Sequence, residues 1–509
     1  MYLRKVLISE PIHQHCAQIL SDANIDVTAL PKAPTEDELV QLIEDFDGLV
    51  VRSATKVTRK VIEAGVRLKI IGMAGTGTDT IDVRAATDAG VFVMNAPGGN
   101  TLSTVEHTCA IMLSLARQVP ESCQSLKSGN WDRKSFMGRE LNGKVLGIIG
   151  LGHIGIEVGL RMQGFGMRVL GADPKVPSHV AASHNIELVS LETLCGRADW
   201  ISIHAPLLPT TRNMINENVF AMCKRGLRIV NVARGGIVKT EALFEALNDG
   251  TVAGAALDVF EEEPPISDTE WRLIKHPKVL PTPHLGANTV EAQIRVAEHI
   301  AHQFVDVNEG RPLVGLVNGK NLSHSRTKDN RLWMDLTLRL GKIAGRLGNF
   351  SPEEKEDYTI TIKGSGIANS AQLLGIAAIV GIHSSADVNL LNAHTVLSMR
   401  NVKTMGTSGR PEVTISVNGF SVTGRVEGTF LLLQGISGTT LQPPGPLERE
   451  SIAIFDNHDN YKKYAANASA DVMWMVRNAK GWTVTSAEST AKEEDFAVFG
   501  GRLVSFAGL

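Results

Sequence analysis

The chain has 509 residues, of which 43% are hydrophobic and 21% charged, and its formal net charge is −3 at pH 7. This length predicts about three or four domains. The net charge is small and no long basic run occurs, so the sequence gives no electrostatic reason to expect nucleic-acid binding. No apolar run approaches the roughly 18 residues of a membrane span. Five scattered cysteines and a start unlike a signal peptide predict reduced thiols and a cytoplasmic protein.

Strand and helix signals alternate along residues 1–98. Strands are predicted at 5–8, 26–30, 49–51, 68–73 and 91–94, with helices around 11–21, 35–43, 58–64 and 81–89. This alternation predicts a small doubly wound parallel sheet. The cluster from His13 to Cys16 has an i, i+2 spacing that does not share a helix face, so no metal site is expected there.

A second strand and helix series follows a long predicted helix at 101–117. Its strands are predicted at 145–149, 169–172, 200–204, 227–232, 252–257 and 279–280, and a helix at 289–307 closes it. Six strands are the count of a Rossmann sheet, and ligands of such folds bind outside the carboxyl ends of the strands.

The pattern changes after residue 317. Helices are predicted at 332–347 and 369–381, strands at 358–363 and 413–417, and a Gly/Pro-rich linker at 442–446. The last part is predicted as a strand at 452–455, a helix at 461–476 and a strand at 482–486. We recognise no catalytic nucleophile, set of metal ligands or phosphate-binding loop in the sequence of this half, so we expect it to have a regulatory or assembly role.

The segment from 144 to 173 carries a dinucleotide-binding fingerprint. An apolar strand leads into Gly150, Gly152 and Gly155, and a helix and second strand end on Asp173. The first glycine permits a tight turn, the second lets a pyrophosphate approach, and the third lets the helix pack closely. The helix N-terminus favours phosphate, and an acid about 20 residues on accepts bonds from ribose hydroxyls, which favours NAD over NADP.

Hydride transfer with NAD requires a base, a group that orients the base, and a cation for the substrate. Arg234 follows a predicted strand and can hold a carboxylate with two hydrogen bonds. His284 follows another strand and titrates in the range needed for proton exchange. Glu263 can accept the second ring N–H of a histidine and raise its basicity.

Three segments carry a family resemblance: residues 230–238 (VNVARGGIV), residues 256–260 (ALDVF) before Glu263, and residues 283–287 (PHLGA). Residues 51–58, 74–77, 136–138 and 204–211 add to them. Together they resemble the signatures of the D-2-hydroxyacid dehydrogenases, in particular the long-chain members that act on a phosphorylated substrate. The resemblance covers about residues 1–318 and is weaker beyond.

The resemblance implies an α/β fold with two doubly wound parallel sheets and further α+β domains. A Rossmann NAD-binding domain (99–285) would be inserted in a flavodoxin-like substrate-binding domain (1–98 and 286–318). An intervening domain (319–445) and an ACT-like regulatory domain (446–509) would follow. The resemblance also implies a homodimer through helix 101–117, which contains His107 and Cys109, or a homotetramer through the C-terminal half. Periodicity alone fits equally a helix 101–117 that is buried within one subunit.

The implied reaction is NAD-dependent oxidation of 3-phospho-D-glycerate to 3-phosphohydroxypyruvate, the first step of L-serine biosynthesis. Arg234 would bind the reacting carboxylate and carbonyl, His284 would be the acid/base group, and Glu263 would support His284. Arg52, Ser53 and Arg133 would bind substrate, Arg133 from a neighbouring subunit in one arrangement. The implied cofactor-binding residues are Thr76, Gly150, Gly152, His153, Ile154, Gly155, Asp173, Ala205, Val232, Ala233, Arg234, Asp258, His284, Leu285, Gly286 and Ala287.

Three residues depart from the family pattern. Met73 stands where long members often carry an arginine facing the anionic substrate, His153 replaces the usual arginine of the glycine turn, and Lys239 replaces an acidic residue. Ordinary chemistry with raised Michaelis constants is therefore expected. Two other functions remain open: a glyoxylate- or hydroxypyruvate-type 2-keto acid reductase, and an NADH-responsive scaffold without catalysis. Asp173, which disfavours NADP, and the long C-terminal half count against the reductase. The C-terminal half also counts against the scaffold, because its pattern is that of a folded, strand-rich segment and not of a disordered recruitment tail.

Overall fold

The computed structural model describes residues 2–319, 322, 328–350, 358–364, 367, 369–384, 388–393, 402–405, 410–447, 451–455, 475–477, 483–487 and 501–505. The chain divides into two compact units. The outer unit comprises Met1–Ala96 and Glu298–Leu509, and the inserted unit comprises Pro97–Ala297. The predicted insertion of one α/β domain in another is confirmed.

The outer unit begins with a five-stranded sheet in which every pair is parallel. The strand order β2-β1-β3-β4-β5 is the flavodoxin-like order expected from the sequence. The strands are β1 (Lys5–Ile8), β2 (Asp26–Ala29), β3 (Gly48–Val51), β4 (Ile70–Met73) and β5 (Phe92–Asn95). The helices between them are α1 (His15–Asp22), α2 (Glu36–Leu42), α3 (Arg59–Ala64) and α4 (Val83–Asp88).

The inserted unit, all of which is described, contains a seven-stranded parallel sheet in the order β12-β11-β10-β9-β6-β7-β8. The strands are β6 (Val145–Ile149), β7 (Arg168–Ala172), β8 (Glu187–Leu188), β9 (Trp200–Ile203), β10 (Leu227–Asn231), β11 (Val252–Leu257) and β12 (Val279–Pro281). This is the Rossmann order, with β12 added at one edge. The sequence prediction missed β8, because a strand of two residues carries no period that could be recognised.

Two helices precede the first strand of this sheet, and six others connect its strands. They are α5 (Thr101–Arg117), α6 (Val119–Lys127), α7 (His153–Gly164), α8 (Ser178–Ser183), α9 (Leu191–Arg197), α10 (Glu217–Met222), α11 (Thr240–Asn248) and α12 (Asp268–Ile274). The long predicted helix at 101–117 is confirmed with both ends correct. The chain returns to the outer unit within α13 (Val290–Glu309).

The C-terminal half adds two further sheets to the outer unit. One has the order β14-β13-β15-β16-β17-β18 and the other, among the described residues, the order β20-β21-β19-β22. The strands are β13 (Tyr358–Lys363), β14 (Val402–Met405), β15 (Glu412–Val417), β16 (Phe420–Glu427), β17 (Phe430–Ile436), β18 (Thr439–Pro446), β19 (Ser451–Phe455), β20 (Met475–Arg477), β21 (Thr483–Ala487) and β22 (Gly501–Ser505). The helices are α14 (Lys328–Leu347) and α15 (Ala371–His383).

One expectation for this half is wrong. The predicted linker at 442–446 lies within β18, which pairs with β17. Prolines interrupt an inner strand because they lack an N–H donor, but β18 is the last strand in its sheet, where a missing donor is tolerated. The predicted helix at 461–476 lies outside the described residues except for its last two positions, which belong to β20. The boundaries of the four predicted domains stay a prediction.

Candidate active site

The carboxyl ends of β6, β7 and β9 bring the glycine turn beside Asp173. Ile149 pairs with Ala172 and also with Ile203, so the residues that follow these three strands leave the sheet at one edge. Gly150 has a positive φ of 92°, and a Cβ there would lie 2.6 Å from the carbonyl oxygen of His204. The turn therefore requires glycine at this position.

The next two glycines differ in what surrounds them. A Cβ on Gly155 would lie 2.0 Å from the carbonyl oxygen of Gly150, so α7 packs against the turn only because this side chain is absent. A Cβ on Gly152 would meet no protein atom within 4 Å. Gly152 also precedes α7 without a side chain to cap it, which leaves space in front of the positive end of the helix.

The carboxylate of Asp173 joins the glycine turn to the end of β7. Its Oδ2 accepts a hydrogen bond from the backbone N of Leu151 at 2.9 Å, and its Oδ1 accepts one from the backbone N of Lys175 at 2.8 Å. These bonds fix the carboxylate in the position that the fingerprint assigns to the ribose-binding acid. Each oxygen keeps a lone pair for a further donor.

A second group of predicted residues follows β10, β11 and β12. Asn231 pairs with Leu257, and Leu257 pairs with Pro281, so the segments that carry Arg234, Asp258 and His284 also leave the sheet at one edge. The loop at Arg234 is tightly built. The Asn231 side chain accepts from the backbone N of Ala233 and donates to the carbonyl oxygen of Arg234.

The Arg234 guanidinium donates from Nη1 to the carbonyl oxygen of Ala233 at 2.6 Å, and the side chain is half-buried. The next residue, Gly235, is in close contact with another segment, because a Cβ there would lie 1.8 Å from the carbonyl oxygen of Phe260. This contact joins the loop of Arg234 to the segment that leads to Glu263.

His284 and Glu263 form the predicted acid–histidine pair. The Nδ1 of His284 lies 2.5 Å from Oε2 of Glu263, and the other carboxylate oxygen accepts from the backbone N of Phe260 at 3.1 Å. The hydrogen bond to Glu263 raises the pKa of His284 above its ordinary value, against the opposing effect of burial. A carboxylate can only accept at Nδ1, so Nδ1 carries the proton and Nε2 is the basic nitrogen.

Asp258 is fully buried behind the segment that carries His284. Its Oδ1 and Oδ2 accept from the backbone N of Leu285 and of Gly286, each at 2.8 Å, and Oδ1 also contacts Thr282 and His107. Burial alone would raise the pKa of Asp258, but these hydrogen bonds outweigh it and hold the pKa below its usual range. Asp258 is therefore an ionised, fully hydrogen-bonded acceptor.

The outer unit holds the predicted substrate residues Arg52 and Ser53 in a loop that follows β3. Sequence reasoning missed the residue that shapes this loop. The carboxylate of Glu10, only 5% exposed, accepts hydrogen bonds from the backbone N of Arg52 (3.0 Å), Ala54 (3.3 Å) and Thr55 (2.9 Å). The signal was a lone acid two residues after the end of β1, which a single sequence does not distinguish from a surface charge.

The remaining predicted residues lie in both units. Ala205 and Val232 are buried, Ile154 is half-buried near the start of α7, and His153 begins that helix with an exposed side chain. Arg133 lies in an exposed loop after α6. Thr76 is exposed in the outer unit, where its carbonyl oxygen accepts from the side chain of Asn95. Ala287 completes the loop after His284.

Two of the three residues that depart from the family pattern have defined surroundings in the structure. Met73 is buried at the end of β4, and Lys239 forms an ion pair with Glu217 at the start of α11.

Among the described residues, no group of three or more His, Cys, Asp or Glu could hold a metal ion, and no helix is long and apolar enough to cross a membrane.

Comparison with known proteins decides the family. Residues 109–286 match the model for the D-isomer specific 2-hydroxyacid dehydrogenase, NAD binding domain. Across 464 residues the chain is 42% identical to D-3-phosphoglycerate dehydrogenase of Homo sapiens, which covers 88% of this chain and 86% of that one. The chain belongs to the D-3-phosphoglycerate dehydrogenase family. The family resemblance inferred from the sequence is thereby confirmed.

Other members of the D-2-hydroxyacid dehydrogenases agree with this assignment. D-3-phosphoglycerate dehydrogenase of Methanocaldococcus jannaschii is 40% identical over 412 residues, covering 80% of this chain and 77% of its own. The structure of D-lactate dehydrogenase from Aquifex aeolicus complexed with NAD and lactic acid superposes with a TM-score of 0.54 at 28% identity, covering 60% of this chain and 96% of that chain. As a D-3-phosphoglycerate dehydrogenase family member, the protein is an NAD-dependent dehydrogenase.

Proposed function

We propose that the protein oxidises 3-phospho-D-glycerate to 3-phosphohydroxypyruvate with NAD, the first step of L-serine biosynthesis. The observation that carries the proposal is the carboxylate-bonded imidazole of His284 at the same sheet edge as Arg234. This pair stands in a chain that is 42% identical to D-3-phosphoglycerate dehydrogenase of Homo sapiens.

The residues of the inserted unit fit NAD. The open space at Gly152 in front of α7 suits a pyrophosphate, and the fixed carboxylate of Asp173 suits ribose hydroxyls and disfavours a 2′-phosphate. We assign the other NAD contacts of the inserted unit to the glycine turn and to the predicted residues after β9, β10, β11 and β12. Thr76 is the NAD contact assigned to the outer unit. When bound, NAD supplies the acceptor for the hydride that leaves C2 of the substrate.

His284 acts as the base in the oxidation. Its Nε2 takes the proton of the C2 hydroxyl while Nδ1 stays bonded to Glu263, which stabilises the imidazolium that forms. Arg234 holds the substrate carboxylate and stabilises negative charge on the C2 oxygen. In the reverse direction the imidazolium returns the proton.

The substrate phosphate is assigned to Arg52, Ser53 and Arg133. Arg52 and Ser53 project from the loop that Glu10 holds, so a buried carboxylate fixes the backbone that presents these groups. Arg133 is exposed, which suits a cation that reaches the site from a neighbouring subunit.

The assembly is proposed to be a homodimer or a homotetramer in the cytoplasm. The helix α5 buries one face, yet Leu102 on it is 47% exposed, and an exposed apolar side chain on a long helix suits a contact with a second copy. Light scattering coupled to size exclusion tests this, since a monomer of the wild-type protein would contradict it. Leu102→Glu is expected to lower the mass of a dimer formed through α5.

The appearance of NADH with 3-phosphoglycerate, compared with lactate, glycerate and 2-hydroxyglutarate, tests the function. We expect the highest kcat/KM with 3-phosphoglycerate, and a loss of about 100-fold or more in kcat for His284→Ala, because general-base catalysis is removed. Stronger turnover of an unphosphorylated acid would instead indicate a different 2-hydroxyacid dehydrogenase. Tight NADH binding with no turnover of any acid would indicate a scaffold.

A further inference from the structure

The side chain of His107 lies against the buried network behind the loop of His284. His107 belongs to α5, whose sequence suggested a subunit contact, yet its imidazole points into the same unit. Its Nε2 lies 3.2 Å from Oδ1 of Asp258 and 3.2 Å from Oγ1 of Thr282, and its side chain is 18% exposed. The side chains of His107 and Thr282, neither of which belongs to residues 284–286, therefore meet at the buried carboxylate of Asp258.

The chemistry of these groups fixes the direction of every bond. The ionised Asp258 can only accept, so the Thr282 hydroxyl, 2.6 Å away, must donate its single hydrogen to Oδ1. The Nε2 of His107 then faces two oxygen lone pairs and must carry a hydrogen itself. His107 and Thr282 are both donors to Asp258.

Asp258 in turn fixes the backbone around His284. Its carboxylate accepts from Leu285 N and Gly286 N, and its carbonyl oxygen accepts from His284 N at 2.9 Å. The backbone of His284 has a φ of 54°, in the left-handed region that a residue with a side chain rarely adopts. The three bonds to Asp258 hold the loop in this unfavourable conformation.

We propose that His107 and Thr282 are positioning residues, which act through Asp258 to hold the loop of residues 284–286 in the geometry that aims the His284 imidazole and presents Gly286 to NAD. Neither residue is assigned a contact with substrate. The proposal rests on the proposed role of His284 as the base but not on the identity of the 2-hydroxy acid.

Two pairs of substitutions test the proposal. His107→Leu removes the donor and keeps similar bulk, whereas His107→Gln restores an N–H near the position of Nε2. Thr282→Val removes the hydroxyl at equal volume, and Thr282→Ser retains it. His299→Leu, at an exposed histidine of α13, is the matched control for loss of an imidazole. For each variant, kcat, KM, NADH affinity and Tm are measured on the full chain.

We expect His107→Leu and Thr282→Val each to lower kcat about tenfold, the effect of removing one hydrogen bond to a charged group. NADH affinity is expected to weaken about threefold to fivefold through Gly286, with KM for the acid changed less than kcat. His107→Gln and Thr282→Ser recover most of both quantities. In the double variant His107→Leu with Thr282→Val, the losses are not additive, because both act through Asp258.

Two results would overturn the proposal. One is unchanged kcat and NADH affinity in His107→Leu, whatever happens to Tm. The other is a His107→Gln or Thr282→Ser variant as impaired as its apolar counterpart, which would mean that packing and not hydrogen bonding matters. If the wild-type protein did not oxidise 3-phosphoglycerate, the proposed function would fail, but the NADH affinities of the same variants would still decide this inference.

Discussion

His284 combines a left-handed backbone with an imidazole bonded to a carboxylate, and both features depend on neighbours distant in the chain. The acidic run before Pro264 is divided among different tasks. Glu263 bonds His284, while Glu261 accepts from the hydroxyl of Thr240. The buried carboxylate of Glu270 accepts from the backbone of Glu261 and Glu262. This geometry agrees with the prediction of Glu263 as the partner of His284, and the catalytic role of Glu263 stays a prediction.

If His284 is the base, as proposed, the charge of Glu263 is expected to set the pH range of the reaction. Oxidation needs unprotonated His284, and because Glu263 raises the pKa of His284, kcat/KM should rise with pH through that raised value. In Glu263→Gln the hydrogen-bond acceptor remains but the charge is lost, so the rising limb should move to lower pH while the plateau falls roughly tenfold. Asp258 also raises this pKa and Arg234 lowers it, and both remain in the variant.

A pH–rate profile of the purified enzymes checks this prediction. Glu262→Gln, an exposed neighbour in the same acidic run, is the control and should leave the profile unchanged. A Glu263→Gln profile that coincides with the wild type would remove Glu263 from the proposed mechanism.

Glu10 offers a residue-scale prediction in the outer unit. In Glu10→Gln one of the two acceptor oxygens becomes an NH2 group that cannot accept from a backbone N–H, so the loop of Arg52 and Ser53 loses part of its support. We expect KM for 3-phosphoglycerate to rise about tenfold, with kcat and NADH affinity changed far less. Steady-state kinetics with Glu44→Gln, an exposed acid of the same unit, as control would expose a general folding effect.

At the scale of elements, the turn between β6 and α7 uses its glycines for different physical reasons. Gly150 and Gly155 are required by contacts inside the protein, since an added Cβ would collide with backbone oxygens. Gly152 meets no such contact. The fold accounts for two of the glycines, and for the third we propose that a ligand approaches the backbone there.

This difference predicts opposite outcomes for two alanine variants. Gly155→Ala should lower Tm strongly, because α7 must move away from the turn. Gly152→Ala should retain Tm within about 2 °C, as expected for a substitution that makes no clash, but bind NADH at least about tenfold more weakly. Fluorescence titration and thermal denaturation separate the two effects. A Gly152→Ala variant with wild-type NADH affinity would contradict the assignment of the pyrophosphate to this turn.

On the scale of the whole molecule, the inserted unit is a complete Rossmann sheet that begins and ends within the chain of the outer unit. Such a unit has its own core, which includes buried residues of β6, β9, β10 and β11. Ligand binding to this unit should therefore be visible as a separate gain in its thermal stability.

NADH at about 100 times its Kd should stabilise the unit by about 2.7 kcal/mol, which corresponds to an upward shift of about 5–10 °C for a unit of this size. Calorimetry with and without NADH measures this shift, and Asp173→Ala should reduce it. NADPH is the matched ligand control and should give a smaller shift, because the carboxylate repels a 2′-phosphate. An equal response to both would contradict the assigned role of Asp173.

The strand and helix alternation, the glycine turn and the family could all be predicted from the sequence, because they depend on local periodicity and on short motifs. The sequence also identified Arg234, Glu263 and His284 as candidates. The hydrogen bonds of Glu10, His107 and Thr282 became visible only in the folded chain, which also shows a strand where a linker was predicted at 442–446. The reason is physical: a buried carboxylate or a proline at a sheet edge is defined by partners far away in the chain, and a single sequence does not record which strands become neighbours.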